Sequence, residues 1–100
     1  MTIRHVVSWK LAETDPDVQA VQAAEIKSLL EALRGQIEGM SAIDVGINSV
    51  GPESNWNLVL IADYDDEAAL AAYQVHPSHV AATGIIRGYV SERSCVDFVL

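Results

Sequence analysis

The segment Tyr73-Gln74-Val75-His76-Pro77-Ser78-His79-Val80 concentrates the reactive side chains of this chain. Two of the chain's three histidines lie here, three positions apart, with a tyrosine just upstream. The third, His5, sits among Ile3, Val7 and Trp9 near the start. A neutral imidazole can take a proton from an acidified carbon near neutral pH, and a tyrosine hydroxyl can hydrogen-bond the enolate that forms. Both roles need a pocket that excludes water. His5 beside Trp9, and the helix face around Leu29, are the candidates to line it. The same residues also fit plainer roles: His76-Pro77 as the turn that stops a helix, His79 in solvent, and Tyr73 in the core with its hydroxyl at the edge.

Other chemistries are less well furnished. A metal site would have to join His76 and His79 with His5 or with Asp63, Asp65, Asp66 and Glu67. The two histidines straddle a proline and have no cysteine nearby, so no metal is expected. The acidic run reads instead as a helix start that complements the macrodipole. Cys95 reads as a buried structural thiol in the last strand. In so acidic a chain, Arg87 and Arg93 are expected to pair with acidic neighbours rather than to bind a carboxylate. Gly84-Ile85-Ile86-Arg87-Gly88 lacks the spacing of a phosphate-cradling loop, and no cofactor is expected.

The elements that must position these residues follow from periodicity. Ile3 to Lys10 alternates, with Ile3, His5, Val7 and Trp9 on one side, and predicts a strand. Asp15 is a good N-cap, and Pro16 suits the first helical position. Ile26, Leu29, Leu30, Leu33 and Ile37 then share a helical face, which Gly35 and Gly39 close. Ser41–Val50 and Trp56–Tyr64 predict a hairpin around the turn residues Gly51 to Asn55. Asp65 or Asp66 caps a helix over about Glu67–Val75, Pro77 interrupts it, and a short helix restarts to carry Ser78, His79 and Val80. Ser91–Leu100 predicts the last strand. The order β-α-β-β-α-β is the ferredoxin-like arrangement, an antiparallel four-stranded sheet with helices on one face, here in a single α+β domain over residues 1–100.

Two helices cover only one face of such a sheet. In the third strand Trp56, Leu58, Leu60 and Ala62 lie on one side, yet Val59 and Ile61 on the other are apolar too. Val6 and Val99 are further candidates for that second face. Such a surface predicts a homodimer with the two bare faces together, most simply about a two-fold axis.

Composition bounds the partners. Half the residues are hydrophobic, a fifth are charged, and the net charge is −8. That field repels nucleic acid and anionic membranes. No apolar run approaches the roughly 20 residues of a membrane-spanning helix. One cysteine and no visible secretory signal suit a cytoplasmic location.

The residues just described resemble a known family, the stress-responsive A/B barrel domain or Dabb proteins. The resemblance rests on Ile3-Arg4-His5-Val6-Val7 with Trp9-Lys10, on Asp63-Tyr64 before the acidic cap, on the Tyr73–Val80 segment, and on Val96-Asp97-Phe98. It covers nearly the whole chain. It implies a ferredoxin-like subunit and a homodimer whose sheets form a dimeric α+β barrel. One plant branch is a polyketide cyclase, in which a tyrosine and a histidine matching Tyr73 and His79 promote aldol closure, and the position of His5 lines the cavity. The resemblance therefore implies His79 and Tyr73 as catalytic residues, with His5, Val7, Trp9, Leu29 and His76 around a small hydrophobic or aromatic molecule. Other members have no assigned reaction, so a non-catalytic ligand-binding or protective protein stays open, as does a cofactor-free monooxygenase. The first helix carries Ala20, Ala23 and Ala24 and no aromatics, which implies a cavity of a different size.

Overall fold

The computed structural model describes all 100 residues, in the order β1 (Ile3–Leu11), α1 (Pro16–Glu31), β2 (Met40–Ile47), β3 (Leu58–Tyr64), α2 (Glu67–Val75), α3 (Pro77–Arg87) and β4 (Val90–Val99). The four strands form one antiparallel sheet in the order β2-β3-β1-β4. With the helices on one face, this is the ferredoxin-like βαββαβ fold.

Each helix starts where a side chain supplies an acceptor. Asp15 accepts the Asp17 and Val18 N–H groups ahead of Pro16, and Asp66 accepts the Ala69 N–H at 2.8 Å. α1 stops at Glu31, short of the glycines expected to close it. The Leu33 and Arg34 N–H groups bond three residues back, to Leu30 and Glu31, and tighten the chain into turns. Leu33 and Ile37 remain buried in those turns. Gly39 ends them with φ +82°, and a Cβ there would lie 2.7 Å from the Ala69 Cβ at the start of α2, so only glycine fits. α3 runs on well past Val80. Gly84 does not break it, because Ala82 and Ile86 on either side are buried against the rest of the fold.

The core lies between sheet and helices. Val7 and Trp9 of β1, Ile43 and Val45 of β2, and Leu58, Leu60 and Tyr64 of β3 face Ile26 and Leu30 of α1, Tyr73 of α2 and Ile86 of α3. Burying one such aliphatic side chain contributes about 1.5–3 kcal/mol relative to leaving it exposed. Strand alternation sends the next residues of each strand to the opposite face. There Val6 stands opposite both Ile61 and Val96, Ser8 opposite Val59, and Arg4 opposite Phe98. Val99 does not join them. Its register partner is Ile3, a core residue, so Val99 points to the helix side, and Val96 and Phe98 take the places on the bare face. No element of the chain covers Val6, Val59, Ile61, Val96 and Phe98. An ion pair, Arg4 Nε and Nη2 to Asp63 at 2.9 and 3.0 Å, borders them. β4 is an edge strand bonded only to β1, and its residues from Ser91 to Val99 are exposed.

Candidate active site

The break between α2 and α3 builds the site. Pro77 cannot donate a backbone hydrogen bond, and it holds His76 extended at φ −64°, ψ 133°. The His76 ring turns back on its own backbone, where Nδ1 accepts the Ser78 N–H at 3.1 Å. His76 thus caps α3 and lines no part of the cavity described below. Tyr73, in the last turn of α2, and His79, in the first turn of α3, are brought together with ring centroids 4.1 Å apart at an interplanar angle of 40°.

Burial sets the ionisation of this pair. Tyr73 is buried, and loss of water pushes its hydroxyl up to about 12, so it keeps its proton and can donate it in a hydrogen bond. Half-buried His79 is moved the other way, below the ordinary imidazole value, because burial disfavours its cation. Its Nδ1 lies 3.3 Å from the Gln74 carbonyl. With the proton on Nδ1 donated there, Nε2 keeps a free lone pair, which a general base requires.

His5 enters from β1. It is the one buried polar side chain of the core, and its Nδ1 hydrogen-bonds Asp97 Oδ1. Sheet register makes this contact, since His5 lies directly opposite Asp97 on β4. The His5 ring sits 6.3 Å from Tyr73 and 6.2 Å from Tyr64, which itself lies 5.1 Å from Tyr73. The Tyr64 hydroxyl is buried with no hydrogen-bond partner, and burial raises its pKa steeply. Cys95, two residues from Asp97 on the same face, places Sγ 3.5 Å from His5 Nδ1. His5, Cys95 and Asp97 are the group whose donor atoms could hold a metal, all within 4.8 Å of one another. It is a different set from any that His76, His79 and the acidic run would have made. In that run, Asp63 pairs with Arg4 and Asp66 caps α2. Cys95 is exposed on the edge strand β4 rather than buried as expected, because no further element covers that strand. Its partial loss of water and the Asp97 carboxylate beside it still push the thiol up, away from thiolate.

A cavity of about 270 Å³ opens between α3 and the β1–β4 side of the sheet. His5, Val7, Trp9, Tyr73 and His79 all line it. Leu29 does not. Leu30 takes its place, because α1 turns Ile26 and Leu30 inward and leaves Leu29 about 100° away around the helix. Arg87 and Arg93 also line the cavity, and neither forms the ion pair expected of it. Local sequence patterns gave no site role to Asp97 or Tyr64, and they expected the two arginines in ion pairs rather than in a cavity wall. Strand alternation signals the inward face of Tyr64, but Asp97 and Arg93 depend on where β4 docks, and Arg87 on where α3 ends.

Comparison with solved structures places the fold among dimeric proteins. A dimeric ferredoxin-like protein of unknown function from Bacteroides fragilis is 31% identical, with a TM-score of 0.89 over 99% of this chain and 96% of that one. A second, from Thermobifida fusca, is 30% identical, with a TM-score of 0.83 over 100% and 92%. A Dabb family protein from Mesorhizobium loti shares the fold at 23% identity, with a TM-score of 0.74 over 99% and 96%. No match is found among curated proteins. No helix is long and apolar enough to cross a membrane. Residues 3–100 match the stress responsive A/B barrel domain, and the chain belongs to this Dabb family.

Proposed function

We propose that the chain works as a homodimer in a reducing cytoplasm, and that its cavity takes a small hydrophobic or aromatic carbonyl compound on which His79 and Tyr73 move a proton without a cofactor. The uncovered patch around Val6, Ile61 and Val96 supports the pairing, as do the similar proteins described as dimeric. The observation that carries the chemistry is the Tyr73–His79 juxtaposition on the wall of one cavity, with His5 in the same wall.

The reaction class is an intramolecular aldol closure of a poly-β-keto chain. His79 Nε2 takes a proton from the carbon between two carbonyls, and the C–H electron pair becomes the enolate. The Tyr73 hydroxyl donates a hydrogen bond to the enolate oxygen. The enolate carbon attacks a second carbonyl of the same chain and forms the new C–C bond. The resulting alkoxide takes the proton back from His79.

Turnover of a poly-β-keto substrate tests this reading. His79→Ala should lower it by roughly 10²-fold or more, and Tyr73→Phe somewhat less. Unchanged rates in both variants would remove the proposal. A protein that turns over no such substrate yet keeps an apolar compound bound through gentle purification is a ligand-binding protein. Oxygen uptake with a quinol would mark a monooxygenase.

A further inference from the structure

Six cations face fourteen acids in this chain. Four of the six are ion-paired: Arg4 with Asp63, Lys10 with Glu92, Lys27 with Glu31, and Arg34 with Asp44. The remaining two, Arg87 and Arg93, have no carboxylate partner, and both line the cavity. They come from different elements. Arg87 ends α3, and Arg93 stands on β4 opposite Trp9, on the helix side of the sheet. The macrodipole accounts for a cation at the end of α3, but not for one on β4. The one acid in the lining, Glu92, lies 3.9 Å from Lys10. The cavity wall is therefore net positive within a chain of net charge −8. Arg93 also stands within electrostatic reach of both Tyr73 and His79.

We infer that the cavity selects small aromatic or keto acids, and that Arg87 and Arg93 take the ligand's carboxylate while Val7, Trp9 and Leu30 hold its apolar body. Guanidinium groups match carboxylates in charge and in fork geometry. The inference rests on the reading of this cavity as a small-molecule site and names the class of molecule. It requires no catalysis.

Calorimetric titration with matched pairs, benzoate against benzamide and cinnamate against cinnamamide, tests it. Each acid should bind roughly tenfold or more tightly than its amide, the scale of a charge-assisted hydrogen bond. Arg87→Gln and Arg93→Gln should each narrow that gap, with far-UV circular dichroism unchanged. Bound cinnamate should also raise the NMR titration midpoint of His79, and cinnamamide should not. Equal binding of acids and amides would overturn the anionic preference while leaving the small-molecule cavity standing. A gap that persists in both variants would overturn the assignment to these arginines. Failure of all four probes to bind at millimolar concentration would count against the cavity reading itself.

Discussion

The rings of Tyr73 and His79 lie 4.1 Å apart, centre to centre, because the chain breaks between them. Six residues apart on one continuous helix, they would be separated by about 9 Å of rise and turned to different faces. The extended backbone at His76 and the proline after it fold α3 back, so that the end of one helix meets the start of the next.

His76 should therefore matter for stability rather than for binding. His76→Ala removes the acceptor of the Ser78 N–H and should cost about 0.5–2 kcal/mol, the range of a lost helix cap. Urea denaturation measures this, and an unchanged midpoint would show that the cap contributes nothing.

The half-buried ring of His79 makes stability depend on pH in a defined direction. Its pKa is lowered in the folded protein from the ordinary 6.5, so between the two values the unfolded chain holds more protons. Stability should rise with pH across that window and be lost as pH falls below 6.5. The NMR titration of the ring should have its midpoint below 6.5. Catalysis by His79 as base would give kcat/KM an acid limb at the same midpoint. A midpoint at or above the ordinary value would contradict the desolvated ring.

Tyr64 carries a buried hydroxyl without a partner. A hydroxyl that loses water and gains no bond costs stability, so Tyr64→Phe should be neutral or stabilise by up to about 1 kcal/mol. Thermal unfolding checks it. A clear fall in Tm would reveal that this oxygen is satisfied.

Val96 is exposed in the single chain, on the edge strand of the uncovered face and opposite Val6. Val96→Glu should leave the fold of one subunit intact and convert a particle of twice the chain mass into one of 10.8 kDa. Light scattering reports the mass. A wild-type chain already monomeric at micromolar concentration would remove the dimer and this prediction together.

Much of the architecture was legible locally. Alternation in Ile3 to Lys10 placed His5, Val7 and Trp9 on one face, and Asp15-Pro16 and Asp66 marked helix starts, because strand period and capping act within a few residues. Pro77 likewise announced the break that joins Tyr73 to His79. The helix limits were less legible. Leu33 and Ile37 keep the helical spacing but sit in turns, and Gly84 lies inside a helix that packing sustains. Leu29 and Leu30 are adjacent and equally apolar, and only docking against the sheet decided which one faces the cavity. β4 shows the limit most plainly. Its alternation separates Arg93, Cys95, Asp97 and Val99 from Ser94, Val96 and Phe98, but pairing with β1 decides which set turns inward. That register is a contact about ninety residues long in the chain. It put Asp97 on His5 and an unpaired Arg93 on the cavity wall, because a strand's own residues fix only which side chains travel together, and its neighbour fixes where they point.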